Sequence, residues 1–116
     1  MLYHDPRMNK VKLHGKLKGT VSWVEIKTDG GLRLEFFDYS EDVQVFLGHD
    51  VAYLIHLLPK EKRQVMAFLN IFDDDLTHPD VVLLERIEES FADYFEFKEW
   101  LDAHGISYQK EFDAMA

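Results

Sequence analysis

Cysteine is missing from the 116 residues, and that absence removes disulfides, thiolate metal sites and a thiol nucleophile together. Long apolar runs are missing too: no stretch approaches the ~18 residues that a bilayer-spanning helix needs. The first residues, Met1-Leu2-Tyr3-His4-Asp5-Pro6, lack the basic segment and apolar run of a secretion signal. A cytoplasmic protein away from the membrane is therefore expected. Motifs that name a chemistry are absent as well. There is no Gly-x-Ser-x-Gly elbow, no phosphate-binding glycine loop and no His-Glu-x-x-His. Ser40 and Ser90 lie near acid- or His-rich stretches, but neither has a local partner pattern. Nothing here argues for an enzyme, and no cofactor is implied.

Basic side chains are scarce outside the first third. Residues 1–34 hold seven (Arg7, Lys10, Lys12, Lys16, Lys18, Lys27, Arg33) against three acids, whereas residues 35–116 hold six against nineteen. The formal net charge is −9, which argues against nonspecific nucleic-acid binding as the main role. Charge partition of this kind speaks to partners and fields and says little about fold.

What is present is apolar substance. Hydrophobic residues make up 47% and aromatic residues 14%, enough for one core without metal or disulfide support at this length. Residues 1–9 read as a loosely held lead-in and 10–116 as a single domain. From Lys10 to Lys18 the chain alternates, with Val11, Leu13 and Leu17 on one face and Lys10, Lys12, His14, Lys16 and Lys18 on the other. Period two predicts a strand, although Gly15 and Gly19 weaken it. Thr20–Lys27 continues as strand, Thr28-Asp29-Gly30-Gly31 turns, and Leu32–Phe37 returns; Asp-Gly between two such runs is a strong hairpin signal. Residues 40–48 fit either a short helix or a strand. Val51–Leu57 favours a strand that Pro59 cuts off, although its apolar spacing (51, 54, 55, 58) also fits a helix.

Helical spacing follows. Pro59 suits a first helical position, and Val65, Met66, Leu69 and Phe72 recur through residue 72. Thr77-His78-Pro79-Asp80 predicts a threonine-capped helix start. Val81, Leu84, Ile87, Phe91 and Phe95 form the expected buried stripe. Asp93 with Glu96 restarts the helix, which carries Phe97, Trp100 and Leu101 to a stop at Gly105. Ile106–Phe112 alternates again as an edge strand. The pattern predicts an α+β fold: an antiparallel sheet of about four strands with two to three helices on one face.

Several residue groups carry a functional reading beside a plainer one. Lys10, Lys12, Lys16 and Lys18 would make a cationic strip for an anionic partner, yet lysine on a solvated strand face also discourages edge pairing. Residues 80–104 hold eight acids against Arg86 and Lys98. Among them Glu85, Glu88, Glu89, Glu96 and Glu99 can steer a basic partner, or simply keep the protein soluble. Asp73-Asp74-Asp75 with His78 has oxygen and imidazole donors, but a calcium loop starting at Asp73 would need glycine and glutamate where His78 and Leu84 stand. His49-Asp50 is a dipeptide found in metal phosphohydrolases. His56, on an apolar segment, reads as a half-buried structural histidine. The clusters Phe36-Phe37-Tyr39 and Phe91-Tyr94-Phe95-Phe97-Trp100 exceed what one face of each element buries, so some serve either a second covered face or self-association.

Three functions follow in order. The first is a small, acidic, non-catalytic module docking a basic protein, as immunity proteins and antitoxins do. The second is a metal-dependent hydrolase built on His49, Asp50, Asp73, Asp75 and His78. The third is a homo-oligomer, a dimer at simplest, held by the spare aromatics.

Overall fold

Thr28-Asp29-Gly30 turns the chain between β2 (Thr20–Ile26) and β3 (Leu32–Asp38). The Gly30 N–H donates to the Lys27 carbonyl (3.0 Å) and the Lys27 N–H to the Gly31 carbonyl (2.9 Å). This is a three-residue hairpin loop, and its last position needs a positive φ, which Gly30 supplies at 88°. The Asp29 carboxylate closes the turn by accepting from the Gly31 N–H at 2.8 Å. Gly31 answers a different demand. A β-carbon there would collide with the Leu57 carbonyl oxygen, so the neighbouring strand passes too close for any side chain.

The computed structural model describes residues 9–15, 18–40, 50–72 and 78–115. Around the hairpin, β1 (Lys10–Leu13), β4 (Asp50–Leu57) and β5 (Gln109–Met115) complete an antiparallel sheet in the order β1-β2-β3-β4-β5. The sheet thus has five strands where about four were expected. The expected strand over residues 10–18 ends at Leu13. Gly15 lies against the α-helical layer, where an added β-carbon would stand 3.0 Å from that of Asp93. Gly19 then turns the chain at φ 75°, and its carbonyl accepts from the Tyr39 N–H at 2.8 Å. Residues 40–48, left open between helix and strand, fall outside the described part beyond Ser40.

Three helices are described: α1 (Pro59–Phe68), α2 (Pro79–Ser90) and α3 (Tyr94–Ala103). Pro59 and Pro79 both stand in the first turn, as predicted. α1 stops four residues short of the predicted 72. Asn70 takes φ 60°, and the Ile71 N–H reaches the Met66 carbonyl at 2.8 Å, which is the helix-ending pattern that left-handed residues allow. α3 ends the same way at Gly105 (φ 68°), with the Ile106 N–H on the Leu101 carbonyl at 3.0 Å. His78, rather than Thr77, occupies the cap position of α2 and makes no side-chain cap bond. Asp80 serves another element, accepting from Lys62 Nζ at 2.8 Å. The restart at Asp93 is as predicted: its carboxylate accepts from the Glu96 N–H (3.0 Å), while Glu96 accepts from the Ala92 N–H (3.0 Å).

All helices cover one face of the sheet. Val11, Leu13, Val24, Leu34, Phe36, Ile55 and Leu57 are buried there against Val65, Leu83, Leu84, Ile87, Phe97 and Leu101. Period two sends the alternate residues to the opposite face: Lys10, Lys12, Trp23, Glu25, Arg33, Glu35, Phe37, Leu54, His56 and Glu111. Phe36 and Phe37 therefore part company, the first buried in the core and the second half-buried on the outer face. Two predicted stripe residues are misplaced: Val81 is only half-buried, with Leu83 taking the core position, and Phe95 lies outside the core. Phe95 is exposed, because α3 turns Tyr94, Phe97 and Leu101 to the core and Phe95 away from it. Among the described residues no helix is long and apolar enough to cross a membrane.

Candidate binding surfaces

The basic strip is shorter than its sequence pattern and is interleaved with acids. Lys10 and Lys12 point outward from β1 and are exposed. Lys18 lies beyond the strand in a turn, and Lys16 falls outside the described residues. Lys10 pairs across the sheet with Glu25 and holds its ammonium 4.5 Å from the Trp23 ring centre. Glu25 in turn bonds Arg33 on β3. Opposite signs are interleaved on one face here, which the linear charge partition does not reveal.

The acidic helices behave differently. Helical spacing puts Glu85, Glu88 and Glu89 on the side of α2 turned from the sheet, and Glu96 and Glu99 on the matching side of α3. All five are exposed. Glu96 is committed to its helix start through Ala92. Among the described residues, Glu85, Glu88, Glu89 and Glu99 form no ion pair. The bases that share their helices are spent elsewhere. Arg86 donates to the Leu69 carbonyl at 2.7 Å, capping the end of α1. Lys98 bonds Asp102 at 3.1 Å.

Asp102 is the centre of a small network. Its second oxygen accepts from the Tyr108 hydroxyl at 2.6 Å, tying α3 to the approach of β5. That hydrogen bond, with the one from Lys98, holds the Asp102 carboxyl below its ordinary range. The Asp102 hydrogen bond raises Lys98. Burial first, then the bond to Asp102, raises the Tyr108 phenol.

Two clefts open beside this network. One, of about 600 Å³, is bordered by His56, Glu61, Tyr108, Lys110 and Glu111. His56 is half-buried, as expected, with Nε2 on Glu111 Oε1 at 3.0 Å. Its Nδ1 is buried and has no hydrogen-bond partner among the described residues. The second cleft, of about 410 Å³, lies between α3 and the β4–β5 margin and is lined by Tyr53, Tyr94, Phe95, Lys98, Glu99 and Lys110.

No protein-family model, curated protein or solved structure matches this chain. Its surfaces must therefore speak for it. Of the proposed metal ligands, His49, Asp73 and Asp75 lie outside the described residues, and the described ones contain no group of three or more carboxylates and imidazoles suited to a metal ion. Sequence reasoning located the acidic helices but missed the second cleft. Tyr53 and Phe112 are far apart in the chain, and only cross-strand register brings them together. The alternation that placed Phe112 on an edge strand was the one available signal.

Proposed function

We propose that this chain is a non-catalytic binding module that docks a basic protein through the outward faces of α2 and α3, in the manner of an immunity protein or antitoxin. The supporting observation is that Glu85, Glu88, Glu89 and Glu99 stand exposed and form no ion pair among the described residues, while Arg86 and Lys98 are engaged with other groups. Uncompensated acids on adjoining helices attract a basic surface over a Debye length, roughly 8–10 Å at physiological salt. Such a field speeds encounter more than it tightens the final complex. The outer sheet face carries bases and acids interleaved rather than one sign, so the proposed contact is placed on the helical side.

Affinity capture with the intact protein supplies the native partner, and stopped-flow mixing then measures association. Reversing Glu85, Glu88, Glu89 and Glu99 to lysine is expected to slow association by about 10-fold or more and to flatten its dependence on salt. Unchanged association kinetics would eliminate the helical faces as the docking surface. Metal analysis and a hydrolase substrate panel on the same preparation separate this function from a metal-dependent hydrolase: stoichiometric metal with turnover would favour the latter.

A further inference from the structure

Three large aromatic side chains crowd one margin of the molecule and remain in water: Tyr53 is 41% exposed, Phe95 41% and Phe112 56%. Phe36, Tyr53 and Phe112 are cross-strand neighbours on the helix-bearing face of β3, β4 and β5. Their ring centres lie 6.0 Å and 5.2 Å apart in turn. Phe95 descends from α3 to meet Phe36 edge-on at 4.8 Å, and Tyr94 stands 5.1 Å from Phe95. Burying one such ring is worth roughly 1.5–3 kcal/mol, so leaving several together in solvent is costly. Contiguous apolar patches of this kind mark interaction sites far more often than scattered exposed residues do.

Charge in the cleft wall is unevenly committed. Lys98 is held by Asp102 at 3.1 Å, and the Lys110 ammonium rests 5.9 Å from the centre of the Tyr108 ring. Glu99 alone among the lining charges has neither engagement, and it also belongs to the acidic helical face. The aromatic cleft and that face therefore share a border. An apolar centre rimmed by charge is the usual anatomy of a protein interface.

We infer that this cleft is the anchor pocket of the docking surface and takes a tryptophan side chain that the basic partner presents among its lysines and arginines. The inference rests on the docking role proposed above. At about 410 Å³ the cleft is at the small end of ligand pockets, which run ~300–1,000 Å³. That suits one large side chain better than an extended ligand. Tyr53 and Phe95 offer ring faces and edges for offset or edge-to-face packing. An indole N–H must find an acceptor when buried, and the exposed Glu99, which carries a carboxylate, is among the residues lining the cleft. Basic residues flanking the tryptophan then meet Glu99 and, beyond it, the acids of α2 and α3.

The test uses the intact protein and four probes followed by aromatic and amide NMR: the peptide Lys-Lys-Trp-Lys-Lys, the same peptide with alanine for tryptophan, N-acetyltryptophanamide and 3-phenylpropionate. The tryptophan peptide should move the ring signals of Tyr53, Phe95 and Phe112 and bind about 10-fold tighter than the alanine peptide. The alanine peptide should move only the signals around Glu85, Glu88 and Glu89. Phe95→Ala, at an exposed position, should erase the difference between the peptides while the acidic face still responds. Equal affinity of the two peptides, with the acidic face responding, overturns the anchor and leaves the docking role intact. Failure of the acidic face to respond to either peptide removes the docking role itself. Tighter binding of 3-phenylpropionate than of N-acetyltryptophanamide assigns the cleft to anionic aromatic ligands, and concentration-dependent self-association abolished by Phe95→Ala assigns it to a second copy; either result overturns the inference.

Discussion

Ser22 shows how a single small side chain joins the two layers. It lies on the buried face of β2, and its hydroxyl accepts from the Tyr94 backbone N–H at 3.0 Å. Tyr94 is the first residue of α3, whose opening N–H groups have no partner within the helix. A strand residue therefore satisfies a helix terminus in the core. Ser22→Ala is expected to cost about 1–3 kcal/mol in urea denaturation, because the Tyr94 N–H stays buried without an acceptor. Ser22→Thr keeps the hydroxyl and tests whether that group matters. A loss below about 0.5 kcal/mol for the alanine variant would show that the bond contributes little. Nothing in the alternation of β2 announces this contact. Ser22 merely breaks the run of apolar residues on the buried face, and its partner is 72 positions away.

Among elements, the joint between α3 and β5 is the most informative. Lys98, Asp102 and Tyr108 form a chain of charge-assisted bonds across it. The Asp102 carboxyl is held below its ordinary value of 3.8, chiefly by the Tyr108 hydrogen bond. A carboxylate depressed on folding adds stability that is complete above its unfolded pKa and is lost as pH falls through the lower folded one. Wild-type protein should therefore lose stability below about pH 3.8, and Asp102→Asn should lose less of it across that window. Denaturant midpoints at stepped acid pH measure the difference; parallel curves for the two proteins would refute the assignment. The elements on either side of this joint were legible beforehand, since Asp93, Glu96 and Gly105 mark the bounds of α3. Their pairing was not, because a tyrosine three positions beyond Gly105 has no local reason to return to the helix.

At the scale of the whole molecule, electrostatics is the open question that salt can answer. The formal net charge is −9, and the exposed glutamates of α2 and α3 have no ion-pair partners among the described residues. Mutual repulsion of like charges destabilises a compact state, and salt screens it. Raising NaCl from about 10 mM to about 200 mM shortens the Debye length from roughly 30 Å to under 10 Å. The thermal midpoint is expected to rise by a few degrees; a flat or falling midpoint would show that the acids are already compensated. The linear partition of charge foretold only half of this picture. Periodicity, Asp-Gly turn chemistry and proline placement determined the strands, the helices and the α+β class, because those signals act within a few residues. The tertiary structure alone decided that Glu25 would pair with Arg33 and face Lys10 across the sheet, that Gly31 must make room for Leu57, and that Tyr53 and Phe95 would line one cleft with Phe112 beside Tyr53. Each of those depends on strand register and helix docking, which bring together residues that no local pattern connects.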